Sequence, residues 1–326
     1  MLLNFTKDII KLILWYPLRW IVPFLPLRMI FLVGNLSGAI NQKLTRSLSK
    51  AMHEELSVIF NGKYSRAERG PIVRQAFKLM AKNRLEELLF QSLNREKTDR
   101  LVTIKNLAAI DSALSGGKGV ILVIAHFGAN KLVMPALGFR GYQINQVAGK
   151  PTEWIRIFGE ELSPVSKMAY QLELKNEQAL PAKFIYVFES ARPIFRCLKK
   201  NEIVCMAIDG GGGARKEQVG FLGRQAMIST GPFRIAQRTG AVVLPAFVLR
   251  QSNNTHVLIV EDPIEMNPAV GEGENSLICL KKFVNLLETY VDRYPCHYAY
   301  RLALGRLVWQ KDPIPLFTDY MKGKRS

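Results

Sequence analysis

His126 is the side chain whose type and setting first suggest chemistry. It lies in GVILVIAHFGANK, residues 119–131, where an apolar run enters a His-Phe-Gly loop and a helical segment starts near Asn130. Ligands of open α/β sheets gather at the carboxyl ends of strands, and a histidine there is well placed as a general base. The same position also suits a histidine that only hydrogen-bonds a strand end. Asp209 closes a second apolar run, Ile203–Ile208, and precedes four glycines, Gly210–Gly213. This glycine run has neither Walker nor dinucleotide-loop spacing. Asp209 therefore either caps a flexible turn or supplies a carboxylate to a site at the strand ends. Thr230-Gly231-Pro232 reads as an N-cap and first helical turn, with Gly240 as the C-cap. Free N–H groups at such a terminus can hold a phosphate, and the segment can equally be plain helix punctuation.

These residues need a scaffold that brings strand ends together. Buried-type apolar runs occur at Val120–Ala125, Phe184–Phe188, Ile203–Ile208, Ala241–Leu249 and His256–Val260. Helical spacing separates them at 106–115, 131–138, 190–200 and 231–239, and again at 275–292, where Leu280, Phe283, Val284, Leu287 and Val291 share a face. Alternation of continuous apolar strands with helices predicts an α/β layer fold with a largely parallel sheet. Residues 51–98 read as helical and highly charged, with Val73, Phe77, Met80, Ala81 and Leu88 forming an apolar stripe that predicts core packing. No internal repeat or Gly/Ser/Pro-rich linker marks a second catalytic domain. The expected division is a hydrophobic attachment at 1–45 and one domain at 46–326, made of a helical lead-in (46–98) and an α/β core (99–310).

The attachment is read from residues 9–40. Lys11, Arg19 and Arg28 interrupt the apolar run, and Pro17, Pro23 and Pro26 break its helical pattern. A cleaved signal peptide fits poorly because basic residues lie inside a long apolar stretch. An anchor in or dipping into the interface fits better, with Trp15, Tyr16 and Trp20 at headgroup depth and basic side chains reaching phosphates. A tilted span and a buried helix pair are the alternatives. The first fifty residues carry seven Lys/Arg against one Asp, and the whole chain of 326 residues has a formal net charge of +18. That charge implies a negative partner or surface. No nucleic-acid module accompanies it, so nucleic acid is not the expected partner. The four cysteines form no C-x-x-C pair, so reduced core residues are expected and a zinc site is not. No G-x-S-x-G elbow exists for a serine hydrolase.

The block around His126 resembles the lipid A biosynthesis (lauroyl/myristoyl) acyltransferases of the lysophospholipid acyltransferase superfamily. Their signature is a histidine, then four residues, then an acid, commonly His-Phe-Gly-Asn-Trp-Glu. His126, Phe127 and Gly128 match it, whereas position 131 is Lys. Ala148-Gly149-Lys150-Pro151 resembles the family's Arg-Pro block, with Lys150 where arginine is usual. The segment from Cys197 to Asp209, the Phe221–Arg224 and Ser229–Pro232 blocks, and the run Ala236–Pro245 follow in the family's order. The likeness covers nearly the whole chain.

This resemblance implies a glycerol-3-phosphate-acyltransferase-like layer fold with an N-terminal hydrophobic helical anchor. It also implies transfer of a fatty acyl chain from an acyl carrier protein or coenzyme A thioester to a hydroxyl of a lipid A precursor or related lipid. His126 is the expected base, Lys150 the expected oxyanion donor, and Asp209 the third catalytic candidate. Phe127, Gly128, Asn130, Lys131, Arg192, Thr230 and Gly231 are the expected substrate-binding residues. No metal or prosthetic group is implied. The expected location is the cytoplasmic face of an inner membrane. A cation at 131 would disfavour the imidazolium, which leaves two readings. In one, another carboxylate, Asp209 or Glu189, orients the histidine. In the other, the chain is a degenerate lipid-binding member.

Overall fold

The structure is a computed structural model that describes residues 12–149, 163–187, 190–210, 215–267, 269–308 and 315–320. The predicted strand–helix alternation is present, with a seven-stranded sheet at its centre. The strands are β1 (Val102–Lys105), β2 (Val120–Ile124), β3 (Ile144–Ala148), β4 (Lys183–Tyr186), β5 (Ile203–Ala207), β8 (Val242–Arg250) and β9 (His256–Val260). Between β5 and β8 in sequence, β6 (Lys216–Phe221) and β7 (Arg224–Ser229) form a separate antiparallel hairpin.

Strand order across the main sheet is β1-β9-β8-β2-β5-β3-β4. All neighbours are parallel except β8 and β9, so the β9–β1 edge runs against the rest. All five residues of β2 are buried, as expected of a central strand covered on both faces. Strands β1, β3, β6 and β7 are shorter or more polar than the five apolar runs, and sequence periodicity did not mark them.

The chain-order helices are α1 (Leu27–Leu44), α2 (Arg46–Ile59), α3 (Arg66–Glu87), α4 (Arg95–Leu101), α5 (Leu107–Ser115), α6 (Val133–Gly138), α7 (Pro164–Gln178), α8 (Arg192–Lys199), α9 (Gly231–Thr239), α10 (Glu272–Arg293) and α11 (Ala299–Val308). Ile194 and Leu198 of α8, Phe233 and Ala236 of α9 and the Cys279–Val291 stripe of α10 bury one sheet face. Ile110 and Ala113 of α5 and Val133–Leu137 of α6 bury the other. Helix α3 begins with a capping box between Ser65 and Glu68 and buries Val73 and Phe77 against α2 and α11.

Helix α1 meets α3 through two glycines. A Cβ on Gly34 would lie 2.7 Å from Lys82 Cγ, and one on Gly38 would lie 2.7 Å from Lys78 Cα. Small residues one turn apart thus let the two backbones approach closely. The opposite face of α1 is apolar and uncovered: Leu32 is 66% exposed, Leu36 64% and Leu44 61%, with Met29, Val33 and Ile40 beside them. Ahead of it, Trp20 is also exposed and carries Arg19 over its ring. The side chain of Trp15 lies outside the described residues. Among the described residues no helix is long and apolar enough to cross a membrane.

Candidate active site

Strands β2 and β5 are adjacent and parallel, so their carboxyl ends bring His126 and Asp209 together. The Nδ1 of His126 lies 2.7 Å from Asp209 Oδ1. The backbone N–H of His126 also donates to both carboxylate oxygens at 3.0 Å. Tyr298, in the turn before α11, donates its hydroxyl to Asp209 Oδ2 at 2.8 Å. The Nε of Arg301 stands 3.6 Å from the same oxygen, and its guanidinium donates to the Asp209 carbonyl. Asp209 is fully buried, which by itself raises its pKa. The nearby His126 and Arg301 charges and the Tyr298 hydroxyl outweigh burial and hold it below the usual carboxylate range. An ionised carboxylate only accepts, so His126 Nδ1 is the donor in this contact and Nε2 is the ring nitrogen left for a substrate. Its side chain is 47% exposed and lines a cavity of about 240 Å³.

The loop after His126 is held from three sides. Phe127 is buried and stacks on the His297 ring, 5.4 Å between centroids, with Phe247 and Tyr290 meeting it edge-on. It anchors the loop in the core and is not among the residues that line the cavity. Gly128 has φ +62°, and a Cβ there would fall 1.9 Å from the Val248 carbonyl oxygen. Its N–H donates to the His297 carbonyl and its own carbonyl accepts from Asn83 Nδ2, both at 3.1 Å. Asn83 accepts in turn from Arg250, which forms a buried two-point pair with Glu86. Burial pushes Glu86 up, but His256 and Arg250 draw it below its ordinary value, so the ion pair stays charged. His297 is held neutral by burial and by Arg250 and His256, its pKa lowered to about 4.

Asn130 and Lys131 lie on a short 3-10 turn, Asn130–Leu132, and both line the cavity. The expectation for Lys131 changes with its surroundings. Its Nζ is 3.3 Å from Glu87, 3.2 Å from Glu173 and 2.6 Å from Glu177. Arg84 joins Glu87 and Glu173 in the same cluster. Burial lowers the lysine pKa, yet the three carboxylates raise it further, so Lys131 is firmly cationic and its charge is matched locally. It ties α7 to α3 instead of opposing an imidazolium.

The remaining candidates stand elsewhere. Arg192 is exposed at the start of α8 and does not line the cavity. Thr230 is buried at the β7–α9 junction; its hydroxyl makes no cap bond and has no partner among the described residues. The Gly231 N–H donates to the Ser229 hydroxyl at 3.3 Å. This junction is tied to the strand end, because the Ser229 N–H donates to the carbonyl of Ile208. Lys150 and Glu189 lie outside the described residues. Tyr298, Arg301, Asn83 and the acids around Lys131 were not read from the sequence. The run Pro295-Cys-His-Tyr-Ala-Tyr-Arg301, dense in polar aromatics ahead of a helix, was the available signal. Among the described residues no group of three His, Cys, Asp or Glu side chains could hold a metal.

The cavity wall combines this polar end with Ala76, Leu79, Met80, Phe90, Leu132 and Leu304. A base with an oriented proton therefore adjoins an apolar surface suited to a hydrocarbon chain. The family model described as bacterial lipid A biosynthesis acyltransferase matches residues 5–300. The chain is also 22% identical over 272 residues to a lipid A biosynthesis lauroyltransferase of Escherichia coli (strain K12), covering 81% of this chain and 82% of that one. The strand-end blocks, the fold around them and the family match agree: this chain belongs to the bacterial lipid A biosynthesis acyltransferase family and is an acyltransferase.

Proposed function

We propose that the enzyme moves a fatty acyl chain from an acyl thioester, on acyl carrier protein or coenzyme A, to a hydroxyl of a lipid A precursor or related glycolipid. The observation that carries this reading is the 2.7 Å contact between His126 Nδ1 and Asp209. Nε2 of His126 takes the acceptor proton as the new C–O bond forms at the thioester carbonyl. The tetrahedral oxyanion then collapses, the C–S bond breaks, and the imidazolium returns the proton to the thiolate. Asp209 fixes the tautomer and stabilises the imidazolium while it exists. Lys150 remains the proposed oxyanion donor, on the family's Arg-Pro block.

A non-catalytic lipid-binding role was motivated by Lys131. That motive weakens because Asp209 offers His126 a carboxylate and three glutamates match the lysine charge. Membrane seating is proposed through the outer face of α1, with Trp20, Arg19 and Arg28 at the headgroups of a cytoplasm-facing leaflet. Its support is the uncovered apolar stripe opposite Gly34 and Gly38.

The test is acyl transfer in liposomes with a radiolabelled thioester and a mixed pool of lipid A precursor and lysolipid acceptors. His126→Ala is expected to abolish transfer, and the labelled product identifies the acceptor. Wild-type turnover in His126→Ala would sink the proposal.

A further inference from the structure

Asp209 has more partners than an orienting carboxylate requires, and two of them come from the far end of the chain. Oδ1 faces the His126 ring; Oδ2 accepts from the His126 backbone N–H and from Tyr298, whose side chain is fully buried. Arg301, one helical turn along on α11, reaches both that second oxygen and the Asp209 carbonyl. A carboxylate with one free oxygen could rotate and offer His126 a poorer geometry. With both oxygens and the adjacent backbone engaged, rotation breaks a buried hydrogen bond.

We propose that Tyr298 and Arg301 are positioning residues for acyl transfer: they clamp the second oxygen and the backbone of Asp209 so that the first oxygen faces His126. This rests on the His126–Asp209 reading above. Neither residue belongs to the sequence blocks around His126 or Asp209. The clamp makes the docking of α11 against the β5 end part of the catalytic geometry. Arg301 also lines the cavity, so its field acts where charge develops during transfer.

The clamp has an electrostatic signature. The Arg301 cation offsets part of the Asp209 charge. Removing it changes the charge balance at Asp209 and frees the carboxylate to turn, and both reach any step that uses the His126–Asp209 pair. Tyr298→Phe acts on the same carboxylate by withdrawing a donor from Oδ2. The other charged groups lining the cavity are Arg84, Glu86, Glu87, Lys131 and Arg250, and each has an opposite charge beside it. His297 is neutral, burial raises the Cys296 thiol to about 11, and Tyr300 completes the titratable lining.

The experiment compares full-length wild type, Tyr298→Phe, Arg301→Gln and Arg301→Lys. It reads the pH profile of kcat/KM and, independently of turnover, the pH dependence of diethyl pyrocarbonate modification at His126, with His126→Ala as the subtraction. Tyr298→Phe and Arg301→Gln are expected to displace the acid limb and the modification midpoint from their wild-type positions by about half a pH unit or more. They should lower kcat more than they raise KM, and Arg301→Lys should restore the wild-type midpoint. Coincident midpoints for wild type and the first two variants would overturn the clamp. If His126→Ala were fully active, the underlying pairing would fail instead, so the two failures are separable.

Discussion

Asp209 holds His126 at two points, its ring through Nδ1 at 2.7 Å and its backbone N–H at 3.0 Å from both carboxylate oxygens. The carboxylate therefore fixes where the loop leaves β2 as well as how the imidazole is turned. An amide in its place would keep the volume but lose the charge and turn one of the two acceptors into a donor. Asp209→Asn is expected to reduce acyl transfer by about 10⁴-fold, the scale found when the carboxylate of a catalytic triad is neutralised. Single-turnover assays with a radiolabelled thioester check this, and a loss under tenfold would contradict it.

Position 131 is expected to matter for stability more than for chemistry. Lys131→Glu would place a fourth carboxylate among Glu87, Glu173 and Glu177. Breaking such a partly buried cluster costs on the order of 2–4 kcal/mol. The variant should unfold at lower denaturant and should not gain activity, although it restores the family's acid. Denaturant titrations beside transfer assays decide the matter; a more active Lys131→Glu would refute the structural role.

The same cluster gives an acid dependence with a definite sign. Glu173 is pushed up by burial but drawn down to about 2 overall by Arg84 and Lys131. Its folded pKa is thus depressed, so its contribution is present above the ordinary carboxylate range near pH 4 and is lost as pH falls toward 2. Glu177, whose pKa burial raises, has the opposite effect, but that effect falls above the ordinary carboxylate range and so outside this window. Acid titration followed by circular dichroism should show less loss of stability between about pH 4 and 2 in Glu173→Gln than in wild type.

Gly128→Ala is expected to be severe for its size. The backbone is at φ +62°, and the new methyl would meet the Val248 carbonyl oxygen at 1.9 Å. Strain alone costs about 1–3 kcal/mol, and relief requires the loop to leave β8. Transfer should fall at least tenfold because His126 lies two residues away. Unchanged kinetics would show that the tether is dispensable.

Leu32→Glu with Leu36→Glu should leave folding almost untouched, because both side chains are more than 60% exposed. Surface substitutions away from packed features are usually within about 0.5 kcal/mol. Liposome flotation should nevertheless drop sharply. Retained flotation would move membrane contact away from α1.

The layer fold was legible because its central strands are continuous apolar runs, and β2, β5, β8 and β9 fall within a residue or two of the predicted ranges. Strands β1 and β3 were not, since half-polar segments of four or five residues become strands only by pairing with a formed neighbour. At the site, His126 and Asp209 were singled out from their places at strand ends, and their pairing needed the parallel β2–β5 register. Tyr298 and Arg301 are separated from Asp209 by about ninety residues, a proximity that no local pattern encodes. Lys131 illustrates the opposite difficulty: its effect on the site depends on Glu87, Glu173 and Glu177, which only tertiary packing brings around it.

Lys82 and Asn83 are consecutive residues of α3 with different duties. Lys82 lies against Gly34 of α1, and Asn83 holds the Gly128 carbonyl. Trimming the hydrophobic N-terminus to ease purification would therefore uncover the α3 turn that steadies the catalytic loop. A shortened enzyme that proved inactive would say little about the need for a bilayer. Detergent or nanodisc preparations that keep α1 are the ones in which intrinsic activity and dependence on lipid can be measured separately.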